Sequence, residues 1–442
     1  MTALPPNRPA WTSRPAWYSA PALLWSAFVV VHFVLGLLNL RGPGYPLGDV
    51  SAVYTFWTDQ AVVGDYWVGI DGPWVYPIVA ILPMLAARIF GMSEYSGVWL
   101  AMIMVLDAIA FAMIIGWGKR RENSVVAWWW LGFLLLLGPI ALGRIDSVTV
   151  PLAIVGVLLV ASRPRLAAFV LTIATWIKVW PAAIIVAIVI AVRQRVAVVV
   201  TGLITSVLIV AVALALGSGA NVFSFITEQT GRGLQVEAPI ATIWLWGAAF
   251  GSGTTVYYDT DLLTWQVRGA GVDVASAVTT PLMLLAFVAV AALGVLAVRA
   301  RARVADILPA LSLGFVVAFI AFNKVGSPQY ITWLAVPVIL GLATTAAGSG
   351  RSFRVPAILS AILAALTHII YPYLYGYLLS LNPLMLAVIT AKDVLLFVLL
   401  GWSMMVLWRD WRRTDAPPAE TADWLPEVWP FSVLPPEVTP TK

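Results

Sequence analysis

Asp49, Arg144, Asp146, Lys178, Arg232 and Lys324 are single charges among long apolar and aromatic stretches. A carboxylate held at a membrane–water boundary can take a proton from a hydroxyl as a general base. Cations at the same boundary can steady an anionic leaving group as charge develops. Each residue also has a plainer reading. Gly48-Asp49 opens a helical pattern, where Asp caps free N–H groups. Lys178 can snorkel to the interface, and Arg232 and Lys324 can be solvated loop charges. Asp146 can cap the span it starts or orient Lys178. Thiol catalysis, disulfides and iron–sulfur clusters are excluded, because the chain has no Cys. Its two His (His32 and His368) leave little for a multi-histidine metal site.

The elements that must position these residues are membrane spans. Of the 442 residues, 61% are hydrophobic and 11% charged, and mean hydropathy is +0.92. A soluble domain is near half apolar and a quarter charged, so composition excludes one. Apolar runs at 21–40, 97–117, 124–142, 146–162, 196–217, 273–299, 305–322, 330–346, 355–378 and 384–408 read as spans. Two shorter runs, 166–177 and 179–192, meet at Lys178 and read as a helical hairpin with a charged tip. Together they predict an all-α polytopic membrane protein with about 12 transmembrane helices.

Basic clusters orient the spans. They are Lys119-Arg120-Arg121, Arg163 with Arg165, Arg193 with Arg195, Arg299–Arg303, Arg351 with Arg354, and Arg409 with Arg412-Arg413. All fall on one side if 74–90, which carries Pro77 and Pro83, is re-entrant or interfacial. That side is read as cytoplasmic, together with the segment 1–20. The transmembrane domain then covers 21–408, with long outer loops at 41–73 and 218–272. Residues 409–442 read as a Pro-rich, disordered cytoplasmic tail. In the first outer loop, Val50, Val53, Tyr54, Trp57 and Ala61 share one face of an interfacial helix. The net charge of +5 belongs to the inner loops and does not call for nucleic acid.

Four segments, in order, carry a family pattern. Gly143-Arg144-Ile145-Asp146 opens a span that leads through Arg163-Pro164-Arg165 to Trp176-Ile177-Lys178-Val179-Trp180-Pro181. Arg232-Gly233-Leu234-Gln235-Val236-Glu237 and Asn323-Lys324-Val325-Gly326-Ser327-Pro328-Gln329-Tyr330 follow. The set resembles glycosyltransferase family 87, the polyprenol-phosphate-mannose-dependent mannosyltransferases of actinobacteria. Two departures are Arg144, where the pattern usually has Gln, and Tyr76-Pro77-Ile78 in place of Tyr-Pro-Pro. The resemblance implies the C-type glycosyltransferase fold in the plasma membrane. It implies a polyprenyl-phosphate sugar donor, most readily mannose, and a glycolipid or glycan acceptor on the outer face. The sugar moves with inversion, and no cofactor is required, although a divalent metal stays open. By position, Asp49 matches the family's catalytic base. Lys178, Arg232, Lys324 and Arg144 are the candidate donor-phosphate contacts. Asp146, Gln235, Glu237, Gln329, Tyr330 and His368 are the candidate sugar or acceptor contacts.

Other readings remain beside this one. Polyprenyl-phosphate arabinose needs the same carboxylate and cations. A 12-helix secondary transporter or lipid-linked sugar flippase fits the span count, though two related halves are not evident. Asp107, central in its span, is expected to be protonated or paired. His32 reads as structural, and His368 as a packed residue or a second acid–base group.

Overall fold

The computed structural model describes residues 16–413. In chain order its helices are α1 (Pro21–Arg41), α2 (Thr55–Val62), α3 (Ile81–Ala86), α4 (Tyr95–Ile114), α5 (Ser124–Leu137), α6 (Asp146–Leu159), α7 (Pro164–Ile177), α8 (Pro181–Ala191) and α9 (Arg195–Ala215). They continue as α10 (Ser224–Thr230), α11 (Thr242–Ala249), α12 (Val272–Arg299), α13 (Val304–Ala321), α14 (Ala335–Ala346), α15 (Arg354–His368), α16 (Tyr375–Leu379) and α17 (Pro383–Arg412). Between α11 and α12 lies one antiparallel hairpin, β1 (Thr255–Asp259) and β2 (Thr264–Arg268). Proline opens α1, α7, α8 and α17, where its missing N–H has no intrahelical partner to lose.

The chain is an all-α polytopic membrane protein. Among the described residues, nine helical segments are long and apolar enough to cross a bilayer. The other three expected spans are helices too, but α6, α7 and α8 have only 14, 14 and 11 residues. At 1.5 Å per residue they cover about 21, 21 and 17 Å, short of a ~30 Å hydrocarbon core. The cause is local. The extended backbone of Lys178 separates α7 from α8, and Pro181 starts the next helix anew.

Burial sorts the bundle into centre and periphery. The span of α13 is 89% buried, whereas those of α9 and α12 are 17% buried. Val200, Leu203 and Val207 of α9 and Leu285 and Val288 of α12 are exposed, so these helices face lipid. Helix α13 packs against α8, α12, α14 and α17. The short basic turns gather at one end of the bundle. The opposite end is built from 42–94, 138–145, 216–271, 322–334 and 369–382.

Two local readings are revised. Residues 218–272 form a folded cap carrying α10, α11 and the hairpin rather than a plain loop. Leu234, Val236, Leu245 and Val267 of this cap pack with Ile370, Leu378 and Leu386 in a second core. The last helix runs to Arg412, past the expected boundary at 409. There Arg412 lies 4.6 Å from the Trp411 ring, and Arg413 pairs with Asp410. Residues 74–90, expected to be re-entrant or interfacial, hold a short 3-10 turn and the six-residue α3. The remainder of the expected tail and residues 1–15 lie outside the described residues. Deep in the bundle, His32 Nε2 and Asp107 Oδ2 share a hydrogen bond at 3.0 Å, pairing the two spans α1 and α4.

Candidate active site

A cavity of about 740 Å³ opens at the end of the bundle away from the basic turns. The apolar face of the first outer loop positions its first carboxylate. Leu47, Val50 and Tyr54 are buried, and Tyr54 packs on Trp99 of α4. Asp49, on the same turn, is left facing the cavity with its side chain 36% exposed. It does not cap the helix. Its carboxylate engages Arg144 Nε at 3.1 Å instead.

Arg144 is buried and held by its surroundings. It donates to the carbonyls of Pro46 (2.6 Å) and Gly143 (2.8 Å) and to the Tyr371 hydroxyl (2.8 Å). The Tyr54 hydroxyl accepts from Ile145 N–H at 3.0 Å, tying the first outer loop to the same turn. Gly143 allows this approach. A Cβ there would stand 2.8 Å from the Pro46 carbonyl oxygen and 2.9 Å from Asn39 Oδ1. Arg144 thus makes four contacts, the one to Asp49 included, and also lines the cavity.

Lys178 lies at the tip between α7 and α8. Its ammonium is 3.8 Å from Asp146 Oδ2, 4.6 Å from the Tyr76 ring and 5.8 Å from the Tyr330 ring. Asp146 is fully buried and accepts from Trp333 Nε1 at 2.7 Å. Of its two expected roles, the structure adopts the orientation of Lys178. Tyr330 stacks on Trp333 and Trp333 on Trp180, so aromatic rings wall this side of the cavity.

Arg232 and Lys324 reach the cavity from two segments that pack backbone to backbone. Gln235 N–H donates to the Lys324 carbonyl at 3.0 Å. Gly326 fits against the other strand of this junction, where a Cβ would lie 2.0 Å from the Glu237 carbonyl carbon. Burial, and then the nearby Arg232, push the Lys324 ammonium below the usual lysine range. Arg232 Nε and Gln235 Nε2 are buried without a hydrogen-bond partner. Gln329 accepts from Ser327 Oγ at 2.5 Å. Burial, followed by Asp49 and Asp146, raises the Tyr76 hydroxyl pKa, so it stays neutral and can donate.

A family model for glycosyltransferase family 87 matches residues 74–328, more than half of the chain. The chain belongs to glycosyltransferase family 87. No curated protein and no solved structure gives a match. As a family 87 member it is a membrane glycosyltransferase, with a sugar donor and an acceptor, rather than a secondary transporter. The matched segment contains Arg144, Asp146, Lys178, Arg232, Gln235, Glu237 and Lys324. Asp49, Gln329 and Tyr330 lie outside it, and the cavity brings them to the same place.

His368 is not part of this cavity lining. Its ring sits over Gly138, where a Cβ would be 2.3 Å from Nε2, and 5.4 Å from the Tyr373 ring. It therefore takes the packed role. Three groups were missed from the sequence. Tyr371, which holds Arg144, and Tyr375 line the cavity, and Lys392 of α17, outside the lining, meets the cavity residue Glu237 at 3.5 Å. Lys392-Asp393 inside an apolar helix was a readable signal, because an ionisable residue there marks a functional position by default.

Proposed function

We propose that the protein moves a sugar, mannose, from a polyprenyl-phosphate donor to a hydroxyl of a glycolipid or glycan acceptor, with Asp49 as general base. The observation that carries this reading is the make-up of the cavity. A partly exposed carboxylate, Asp49, and three cations, Lys178, Arg232 and Lys324, line it together.

In the step, the Asp49 carboxylate accepts the acceptor's hydroxyl proton. The acceptor oxygen forms its bond to the anomeric carbon as the bond from that carbon to the phosphate oxygen breaks. The electron pair leaves with the phosphate, whose charge the cations stabilise. Displacement from the far side inverts the anomeric centre. Arg144 orients the Asp49 carboxylate, and Asp146 does the same for Lys178. Gln235, Glu237, Gln329 and Tyr330 supply hydrogen bonds and a ring face for sugars.

Two features support a lipid donor. Phe225, Ile226, Met283 and Phe319 contribute apolar surface to the cavity lining, Met283 from the lipid-facing helix α12 itself. The short helices α6, α7 and α8 also set Asp146 and Lys178 below the membrane surface, because their other ends carry Arg163 and Arg193. With the Arg-bearing ends taken as cytoplasmic by the positive-inside rule, our reading has the cavity face the extracytoplasmic side of the plasma membrane. Purified protein incubated with labelled polyprenyl-phosphate mannose, the arabinose counterpart and envelope glycolipids tests the reading. A mannosylated glycolipid is expected. Product from the arabinose donor alone overturns the sugar, and no product from any donor overturns the reaction.

A further inference from the structure

We propose that Lys392, on α17, is a positioning residue that keeps the Glu237 carboxylate ionised and aimed into the cavity, where it accepts hydrogen bonds from sugar hydroxyls. This rests on the sugar-transfer reading of the cavity. Glu237 and Lys392 are 5% and 4% exposed, and Lys392 Nζ is 3.5 Å from Glu237 Oε2. They come from distant parts of the chain, the segment before α11 and the third turn of α17.

A buried ion pair is a poor way to gain stability. Desolvating both charges often outweighs their attraction, and well-packed apolar residues serve as well or better. This pair differs from a structural pair in one respect, since Glu237 lines the cavity. A carboxylate only accepts hydrogen bonds while ionised, which suits it to sugar hydroxyl donors. Burial works against that state and raises the pKa of Glu237, while Lys392 opposes the rise. The other charged or titratable groups facing Glu237 are Arg144, Tyr375 of α16 and Asp393 of α17. Arg144 also favours the ionised form. Asp393 is occupied with Thr242, whose hydroxyl donates to it at 2.5 Å.

The sign follows directly. Glu237 works when ionised, so activity is lost as pH falls through its pKa. Removing Lys392 raises that pKa and moves the loss to higher pH. In Lys392→Met, the acid limb of kcat/KM is expected to move up by about 1–3 pH units, with Lys392→Arg returning it. Glu237→Gln, which keeps shape and a polar contact, is expected to lose the limb and raise KM about 10- to 100-fold. A rise confined to the donor's KM assigns the hydroxyls to the transferred sugar, and one confined to the acceptor's assigns them to the acceptor. An infrared pH titration reads the same coupling without substrate. The protonated Glu237 carboxyl is the band that separates Lys392→Met from the Lys392→Met, Glu237→Gln double variant at neutral pH, and no such band is expected to separate wild type from Glu237→Gln. Superimposable infrared titrations of wild type and Lys392→Met would overturn the proposal, as would an unchanged KM in Glu237→Gln. Absence of sugar transfer by wild-type protein would instead overturn the reading of the cavity, leaving the infrared test standing.

Discussion

Replacing Lys178 by Met separates two jobs done by one ammonium. Asp146 is fully buried, and Lys178 is the cation beside it at 3.8 Å. At that distance, with an effective dielectric constant of about 20, the attraction is roughly 4 kcal/mol. Removing one partner of a buried pair leaves an uncompensated charge and costs about 3–5 kcal/mol. Lys178→Met is therefore expected to lower stability by about that amount. The double variant Asp146→Asn, Lys178→Met removes the orphaned charge and keeps an acceptor for Trp333 Nε1, so most of the stability returns. Donor binding does not return with it, because the ammonium that meets the phosphate is still missing. A lost hydrogen bond to a charged group corresponds to about a 10- to 150-fold weaker donor affinity. Thermal unfolding and binding of a labelled polyprenyl-phosphate sugar in nanodiscs measure the two effects separately. If the double variant binds donor as tightly as wild type, Lys178 is a structural counter-ion and its role at the phosphate is refuted.

Two further substitutions test the supports of the site. Arg144→Met frees the Asp49 carboxylate to move, and displacements near 1 Å cost about 100-fold in rate. A fall in kcat of that order is expected with donor affinity within about threefold of wild type, whereas a phosphate ligand would show the reverse in a steady-state assay with varied donor. Gly326→Ala drives a methyl into the Glu237 backbone. Overpacking of this kind costs about 1–3 kcal/mol, and a matched drop in unfolding temperature and transfer rate is expected.

The spans were legible because a bilayer imposes length. Runs near 20 apolar residues appear as long helices, and the two short runs meeting at Lys178 are indeed short. The motif cations were legible as a set because isolated charges in such a chain are few. Lys178, Arg232 and Lys324 come together although they are far apart in sequence. What escaped depends on pairing across the chain. Nothing local to Arg144 indicates that Asp49 pairs with its charge and that Tyr371 accepts a hydrogen bond from it. The hairpin at 255–268 has strands of only five residues, whose burial does not alternate, and so short a pattern did not mark it within the long loop. Lys392 and Asp393 stand out as charges in a 30-residue apolar helix, but nothing near them shows that Lys392 meets Glu237. His368 was placed near the right end of its helix, but which neighbour its ring meets is decided by the helix rotation that packs it onto Gly138.

The most direct test is sugar transfer by Asp49→Asn beside wild type, in purified protein with polyprenyl-phosphate mannose and glycolipid acceptor. Asn fills the same space and still reaches Arg144, so the variant should fold and bind donor. It lacks the carboxylate that accepts the proton, and a general base contributes about 10²–10⁴ in rate. Donor binding near wild type with transfer reduced at least about a hundredfold is the expected result. Transfer by Asp49→Asn at close to the wild-type rate would contradict the assignment of Asp49 as the base.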